Sequence, residues 1–234
     1  MASSIRGAII AAGEGSRLRA DGYRVPKPMV EVAGLPLIGA VLRNFTTAGI
    51  TAITIIVNEQ ERECVEWVRT RFPTLEIDFV VKTTASSLES FREVTGRGPA
   101  GPLLVSTVDA WCAAEDFARF AAAAAARPDD ATVLAVTPFV SDEKPLWVTL
   151  GASGRVQALG KVDSGLVTAG VYRVSDRARR LAPAQELGRL REYLGWLHES
   201  GEPLYGEIIE TVVDVDRALD VASAEALARG ARRT

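Results

Sequence analysis

Histidine is nearly absent from this 234-residue chain, with His198 the only one. One imidazole late in the sequence leaves no Ser-His-Asp or Cys-His arrangement to assemble, which removes the common nucleophilic hydrolase constellations. Cysteine is almost as scarce. Cys64 and Cys112 stand far apart, outside any metal-ligand spacing, and read as reduced thiols of a cytoplasmic protein. The stretch Met1 to Arg6 is too short and polar to read as a signal peptide, and no run approaches the roughly 18 uninterrupted apolar residues of a membrane span. No membrane partner is expected. Positive charge is not in excess either. The 27 Lys and Arg face 30 Asp and Glu, a formal net charge of −3, with the signs interspersed. A nucleic-acid partner would call for a basic stripe, and there is none. Any phosphate bound here must be held by a few placed groups.

What is present is ordinary for a globular protein: 47% hydrophobic and 24% charged residues, in a length that suits one domain spanning 1–234. Short β-type runs alternate with helical patterns, the mark of βαβ units on a parallel sheet. Gly7 to Ala11 is small and continuously apolar, as expected of a strand covered on both faces. Leu37, Ile38, Val41, Leu42 and Phe45 recur at helical spacing, and Gly49 marks a stop. Further strands are expected at 52–57, 77–81, 103–106, 131–136, 166–174 and 208–213, with a hairpin pair at 146–150 and 155–159. Helices are expected around 176–182 and 186–199, with a last helix at the C-terminal end. Ser86 with Glu89 fits a capping box opening another helix. The pattern predicts an α/β protein, a Rossmann-like three-layer α/β/α sandwich on a mostly parallel mixed sheet.

The densest chemistry lies in Ala11-Ala12-Gly13-Glu14-Gly15-Ser16-Arg17-Leu18, followed by Pro26-Lys27-Pro28-Met29. Two glycines in a loop leaving a buried strand let backbone N–H groups converge on an anion without Cβ obstruction. Arg17 adds a fork of donors matched to phosphate oxygens, and Lys27 adds a compact charge stiffened by prolines on both sides. The dinucleotide fingerprint fails because Leu18 stands where a third glycine is required, and no Gly-Lys-Ser/Thr closes a P-loop.

AAGEGSRLR with PKPM, followed by Val32-Ala33-Gly34-Leu35-Pro36-Leu37-Ile38, resembles the sugar-phosphate nucleotidylyltransferase superfamily, MobA-like members included. The resemblance implies an enzyme that moves a nucleoside monophosphate from a triphosphate to a phosphorylated acceptor and releases pyrophosphate. It implies that residues 11–16 wrap the triphosphate while Arg17 and Lys27 stabilise it, and that Mg²⁺ is the cofactor. Asp109, which should emerge at the carboxyl end of a buried strand, matches the family's metal ligand; taken by itself, an aspartate there also suits a turn. The second ligand falls in Val213-Asp214-Val215-Asp216-Arg217, with Asp214 fitting best and Asp216 next. A helix cap explains Asp216 equally well.

Lys161, ahead of the AGVY-like segment that contains Gly170, matches a family lysine directed at the acceptor phosphate, and is preferred over Lys144. A plain surface lysine is the alternative. Ser86 and Ser87 follow the third strand, where relatives read the base, although Ser86 suits a cap as well. The acceptor expected is a sugar phosphate, with an alcohol or polyol phosphate or molybdopterin as non-sugar alternatives. Small hydroxyl residues do not by themselves choose a base, but the Thr83 to Leu88 segment resembles cytidylyl- and uridylyl-transferring relatives, and that resemblance leans toward CTP or UTP. A nucleotide-sugar-binding module without catalysis is the contrasting expectation, and a homo-oligomer is compatible with either.

Overall fold

The computed structural model describes residues 5–140, 145–160 and 162–231. In chain order the first half runs β1 (Arg6–Ala11), α1 (Ser16–Ala20), β2 (Glu31–Val32), β3 (Leu35–Pro36), α2 (Leu37–Thr47), β4 (Ala52–Val57), α3 (Arg62–Arg71), β5 (Glu76–Val81), α4 (Ser87–Thr95) and β6 (Leu103–Thr107). The second half runs β7 (Ala110–Trp111), α5 (Ala114–Ala125), β8 (Thr132–Thr137), β9 (Trp147–Leu150), β10 (Val156–Gly160), β11 (Val167–Val174), α6 (Asp176–Arg180), α7 (Leu190–Glu199), β12 (Leu204–Ile208), β13 (Val213–Asp214) and α8 (Ala218–Ala231).

Nine of these strands make one sheet in the order β10-β9-β11-β6-β1-β4-β5, with β8 beside β11 and β12 beyond β8. The half built on β6, β1, β4 and β5 is parallel, and β11 then enters antiparallel to β6. Side-chain alternation divides the core into two layers. Ile9 and Ala11 of β1 face a cluster with Leu37, Leu42 and Phe45 of α2 and Phe117 of α5. Ala8 and Ile10 face the opposite cluster, with Leu88 and Phe91 of α4 and Tyr193 and Leu197 of α7. The result is the expected α/β/α sandwich. Its topology places the carboxyl ends of β1, β4 and β6 on one edge, where such sheets hold their ligands.

Two expectations are corrected near the C-terminal end. The strand expected at 208–213 lies earlier, at Leu204–Ile208, because that segment pairs in parallel with β8 from Thr132 to Val136. Ile209 and Val212 then turn into the core at 2% and 4% exposure, without extending the ladder. The helix expected from 186 begins at Leu190. Its start is fixed by Glu192, whose carboxylate accepts the backbone N–H groups of Gly188 and Arg189 at 2.9 and 3.0 Å.

Candidate active site

The glycine loop leaves β1 at Ala11 and turns at Gly15, whose φ of 59° lies in the left-handed region that glycine adopts without Cβ strain. A Cβ there would also stand 2.7 Å from the Cβ of Lys27. The loop and the PKPM segment are thus packed against each other, so the two sequence motifs are one structural unit. Lys27 opens a single 3-10 turn, Lys27–Met29, held by the N–H of Val30 donating to its carbonyl at 3.1 Å. Its side chain is 7% exposed.

The Lys27 ammonium donates to Oδ2 of Asp109 at 2.6 Å and to Oδ1 of Asp216. Arg17 reaches the other oxygen of Asp216 at 2.5 Å. Asp214 completes a trio, in which one carboxylate oxygen from each of Asp109, Asp214 and Asp216 lies within 4.8 Å of the others. Backbone pairing brings these distant segments together. β7 runs antiparallel to β13, setting Ala110 opposite Asp214, and the N–H of Val215 donates to the Asp109 carbonyl at 3.0 Å.

The capping alternative for Asp216 is decided by the first turn of α8. The N–H groups of Asp216 and Arg217 go to the Asp220 carboxylate, and that of Ala218 goes to Asp21. The Asp216 carboxylate is left to face the two cations. Burial works to lower the Lys27 pKa, but Asp109, Asp216 and Asp214 together outweigh it and hold the ammonium above its ordinary range. Burial works to raise that of Asp109, and Lys27 reverses it, leaving the carboxyl below its ordinary range. Three carboxylates against two cations leave one net negative charge, and hard oxygen donors so placed suit Mg²⁺.

A cleft of about 250 Å³ opens beside this cluster, lined by Asp109, Asp214 and Asp216 on one side and by β11 on the other. Gly170 lies on its wall with φ 71°, at a register shift in β11, and a Cβ there would meet Thr107 Oγ1 at 2.6 Å. Ser87 also lines the cleft, and its hydroxyl accepts from the N–H of Leu190 at 3.0 Å. Ser86 instead caps α4 by accepting from the N–H of Glu89 at 3.1 Å, and is absent from the described cleft wall. Lys161 and Lys144 lie outside the described residues. Among the wall residues that the sequence did not single out are Thr107, Tyr172 and Arg191. Tyr172 lies within the strand expected at 166–174 and Arg191 within the helix expected around 186–199, while Thr107 directly follows the strand expected at 103–106, so none carried a signal of its own.

The profile of the MobA-like NTP transferase domain matches residues 7–189, which contain the glycine loop, Lys27 and Asp109. The chain belongs to the MobA-like NTP transferase family. Among curated relatives, this MobA-like chain is 29% identical over 90 residues to CMP-5'-(3-aminopropyl)phosphonate synthase of Streptomyces rubellomurinus, covering 38% of this chain and 14% of that protein. It is 30% identical over 95 residues to 2-aminoethylphosphonate cytidylyltransferase of Lancefieldella rimae, 38% of each chain. It is 34% identical over 99 residues to mannose-1-phosphate guanyltransferase of Kluyveromyces lactis, 42% of this chain and 25% of that one. The MobA-like chain therefore matches well under half the length of each of these relatives. Its fold is that of the inositol-1-phosphate CTP transferase from T. maritima, with TM-score 0.79, 19% identity and 96% of both chains covered. HddC from Yersinia pseudotuberculosis, solved with GMP-PN, aligns with TM-score 0.75 at 17% identity over 95% of this chain and 99% of its own.

Proposed function

We propose that this MobA-like chain transfers a nucleoside monophosphate from a triphosphate to the phosphate or phosphonate group of a small acceptor, releasing pyrophosphate. The observation that carries the reading is the convergence of Lys27, Arg17 and three aspartates beside a glycine loop, at the carboxyl edge of the sheet. In this reading the loop N–H groups at 13–16 and Arg17 hold the triphosphate, and Lys27 fixes its position. Gly170 and its neighbours on β11 leave room for the acceptor. An acceptor oxygen attacks the α-phosphorus; the new O–P bond forms as the bond to the β-phosphate oxygen breaks, and pyrophosphate carries the charge away. The nucleophile is already ionised near neutrality, so no general base is required, in keeping with a site built without histidine. Catalysis then rests on positioning and charge neutralisation. Asp109 with Asp216 and Asp214 would hold Mg²⁺, which supplies further neutralisation of phosphate charge when bound.

A pyrimidine nucleotide is the favoured donor, supported by the two relatives named for CMP and cytidylyl transfer. The mannose-1-phosphate guanyltransferase relative supports a second reading, in which a guanine nucleotide goes to a sugar phosphate. Pyrophosphate release from CTP, UTP, GTP and ATP, each with sugar phosphates, polyol phosphates and alkylphosphonates, separates the two. Selective release with CTP or UTP supports the first reading and with GTP the second. No release from any pair overturns the transferase assignment.

A further inference from the structure

Both oxygens of the Asp216 carboxylate are taken up by the protein's own cations, Oδ1 by the Lys27 ammonium and Oδ2 by Arg17 at 2.5 Å. These are the two side chains that the transferase reading assigns to the triphosphate. The same carboxylate belongs to the trio placed to hold a metal. Asp216 thus occupies the very groups that a phosphate would need.

The two cations differ in how freely they can leave. Lys27 is buried, and Oδ2 of Asp109 also holds it at 2.6 Å. The Arg17 side chain is 42% exposed, and Asp216 is its one hydrogen-bonded partner among the described residues. It projects from the second residue of α1, two positions beyond Gly15, so rotation of its own side chain can exchange the carboxylate for an anion on the loop. Asp216 is less able to follow. Its N–H donates to the Asp220 carboxylate at 3.0 Å, and the N–H of Ala218 is fixed to Asp21 at 2.9 Å.

Charge sets which state is preferred. Without a metal, the three carboxylates outnumber the two cations by one, and the cluster repels an incoming polyphosphate. A dication among the aspartates reverses the balance to one net positive charge. Each carboxylate oxygen has a second lone pair, so Asp216 can accept a metal before either cation has left. Unit charges about 4 Å apart near a protein surface still interact strongly, so Lys27 and Arg17 are then driven off Asp216 toward the phosphates.

We propose that Asp216 is an internal counter-ion that withholds Arg17 and Lys27 from polyphosphate until a metal binds, so that metal and triphosphate binding are one coupled event. This rests on the transferase reading above and adds a control on the same site. Asp214 distinguishes the exchange from a simple change in net charge. It carries the same charge in the same trio, but the ion pairs of Lys27 and Arg17 go to Asp109 and Asp216.

The test is calorimetric titration with inorganic pyrophosphate in the presence of a metal chelator, together with titration by Mn²⁺ alone followed by electron paramagnetic resonance. Asp216→Asn should bind metal-free pyrophosphate about tenfold more tightly than wild type, and more tightly than Asp214→Asn, while binding Mn²⁺ more weakly. Arg17→Gln, at an exposed position, should do the reverse: Mn²⁺ alone binds about fivefold more tightly, and pyrophosphate more weakly. Structural damage would instead cost affinity for both ligands, and that result in both variants overturns the inference. An equal gain for pyrophosphate in Asp214→Asn and Asp216→Asn, or no gain in Asp216→Asn, also overturns it. Either outcome leaves the transferase reading standing, because pyrophosphate release by wild type is scored separately. A wild-type protein that binds no pyrophosphate with or without Mg²⁺ overturns both.

Discussion

Lys27 makes the aspartate cluster possible. Its ammonium is bound by carboxylates from two distant segments, and each of these keeps the charge in place against the pull of burial. Lys27→Ala and Asp109→Ala should each lower kcat by about a hundredfold, the scale of losing one group that stabilises transition-state charge. Circular dichroism should show both variants folded, and wild-type turnover in either would remove its role. Glu61 poses a separate question. It is 5% exposed, its Oε2 has no hydrogen-bond partner among the described residues, and burial pushes its carboxyl from 4.5 to about 7. The folded state therefore binds this proton more tightly than the unfolded chain does. The resulting stability is full below the unfolded value near 4.5 and is lost as pH rises through about 7. Glu61→Gln, which removes the charge and keeps the shape, should raise the melting temperature at pH 8 by a few degrees, about 2–4 °C per kcal/mol, and change it little at pH 4. An identical pH profile in the two proteins would contradict this account.

At the scale of elements, the two ends of the site differ in how much of them is local. The glycine loop was legible because its chemistry is contiguous: an apolar strand, two glycines, an arginine and a proline-flanked lysine within 23 residues, from Gly7 to Met29. Its internal packing was not legible, since the contact between Gly15 and the Lys27 side chain depends on how the chain folds back after α1. Gly15→Ala should cost about 2 kcal/mol through the left-handed backbone, with added overlap against Lys27. Its KM for the triphosphate should rise about tenfold, as measured by steady-state kinetics, because the loop can then close only by moving away from the lysine. The opposite edge was harder to read. β12 was placed too late because Ile208 to Val213 is as apolar as a strand; the ladder with β8 ends at Ile208 opposite Val136 and the chain then turns into the core, an outcome of tertiary packing that the segment itself does not signal. Ser86 and Ser87 are neighbours with the same side chain, yet one caps α4 and the other faces the cleft, a choice made by the helix start.

Over the whole molecule, ligand binding should report on the assembled site. A magnesium–triphosphate complex at a hundred times its dissociation constant stabilises the folded state by about 2.7 kcal/mol. For a chain of this length that is a rise in melting temperature of about 5–10 °C. Differential scanning fluorimetry should show that rise in wild type and largely lose it in Asp109→Ala; an equal shift in both would place the metal-bound nucleotide elsewhere. No helix among the described residues is long and apolar enough to cross a membrane.

The sequence by itself determined the layered α/β architecture and the glycine loop after β1, because hydrophobic periodicity and contiguous motifs are local properties of the chain. Only the tertiary structure decided that Asp216 turns to Lys27 and Arg17 while Asp220 and Asp21 take the helix amides. Those outcomes depend on backbone pairing and packing between residues as many as 199 positions apart. No sequence pattern encodes that pairing at short range.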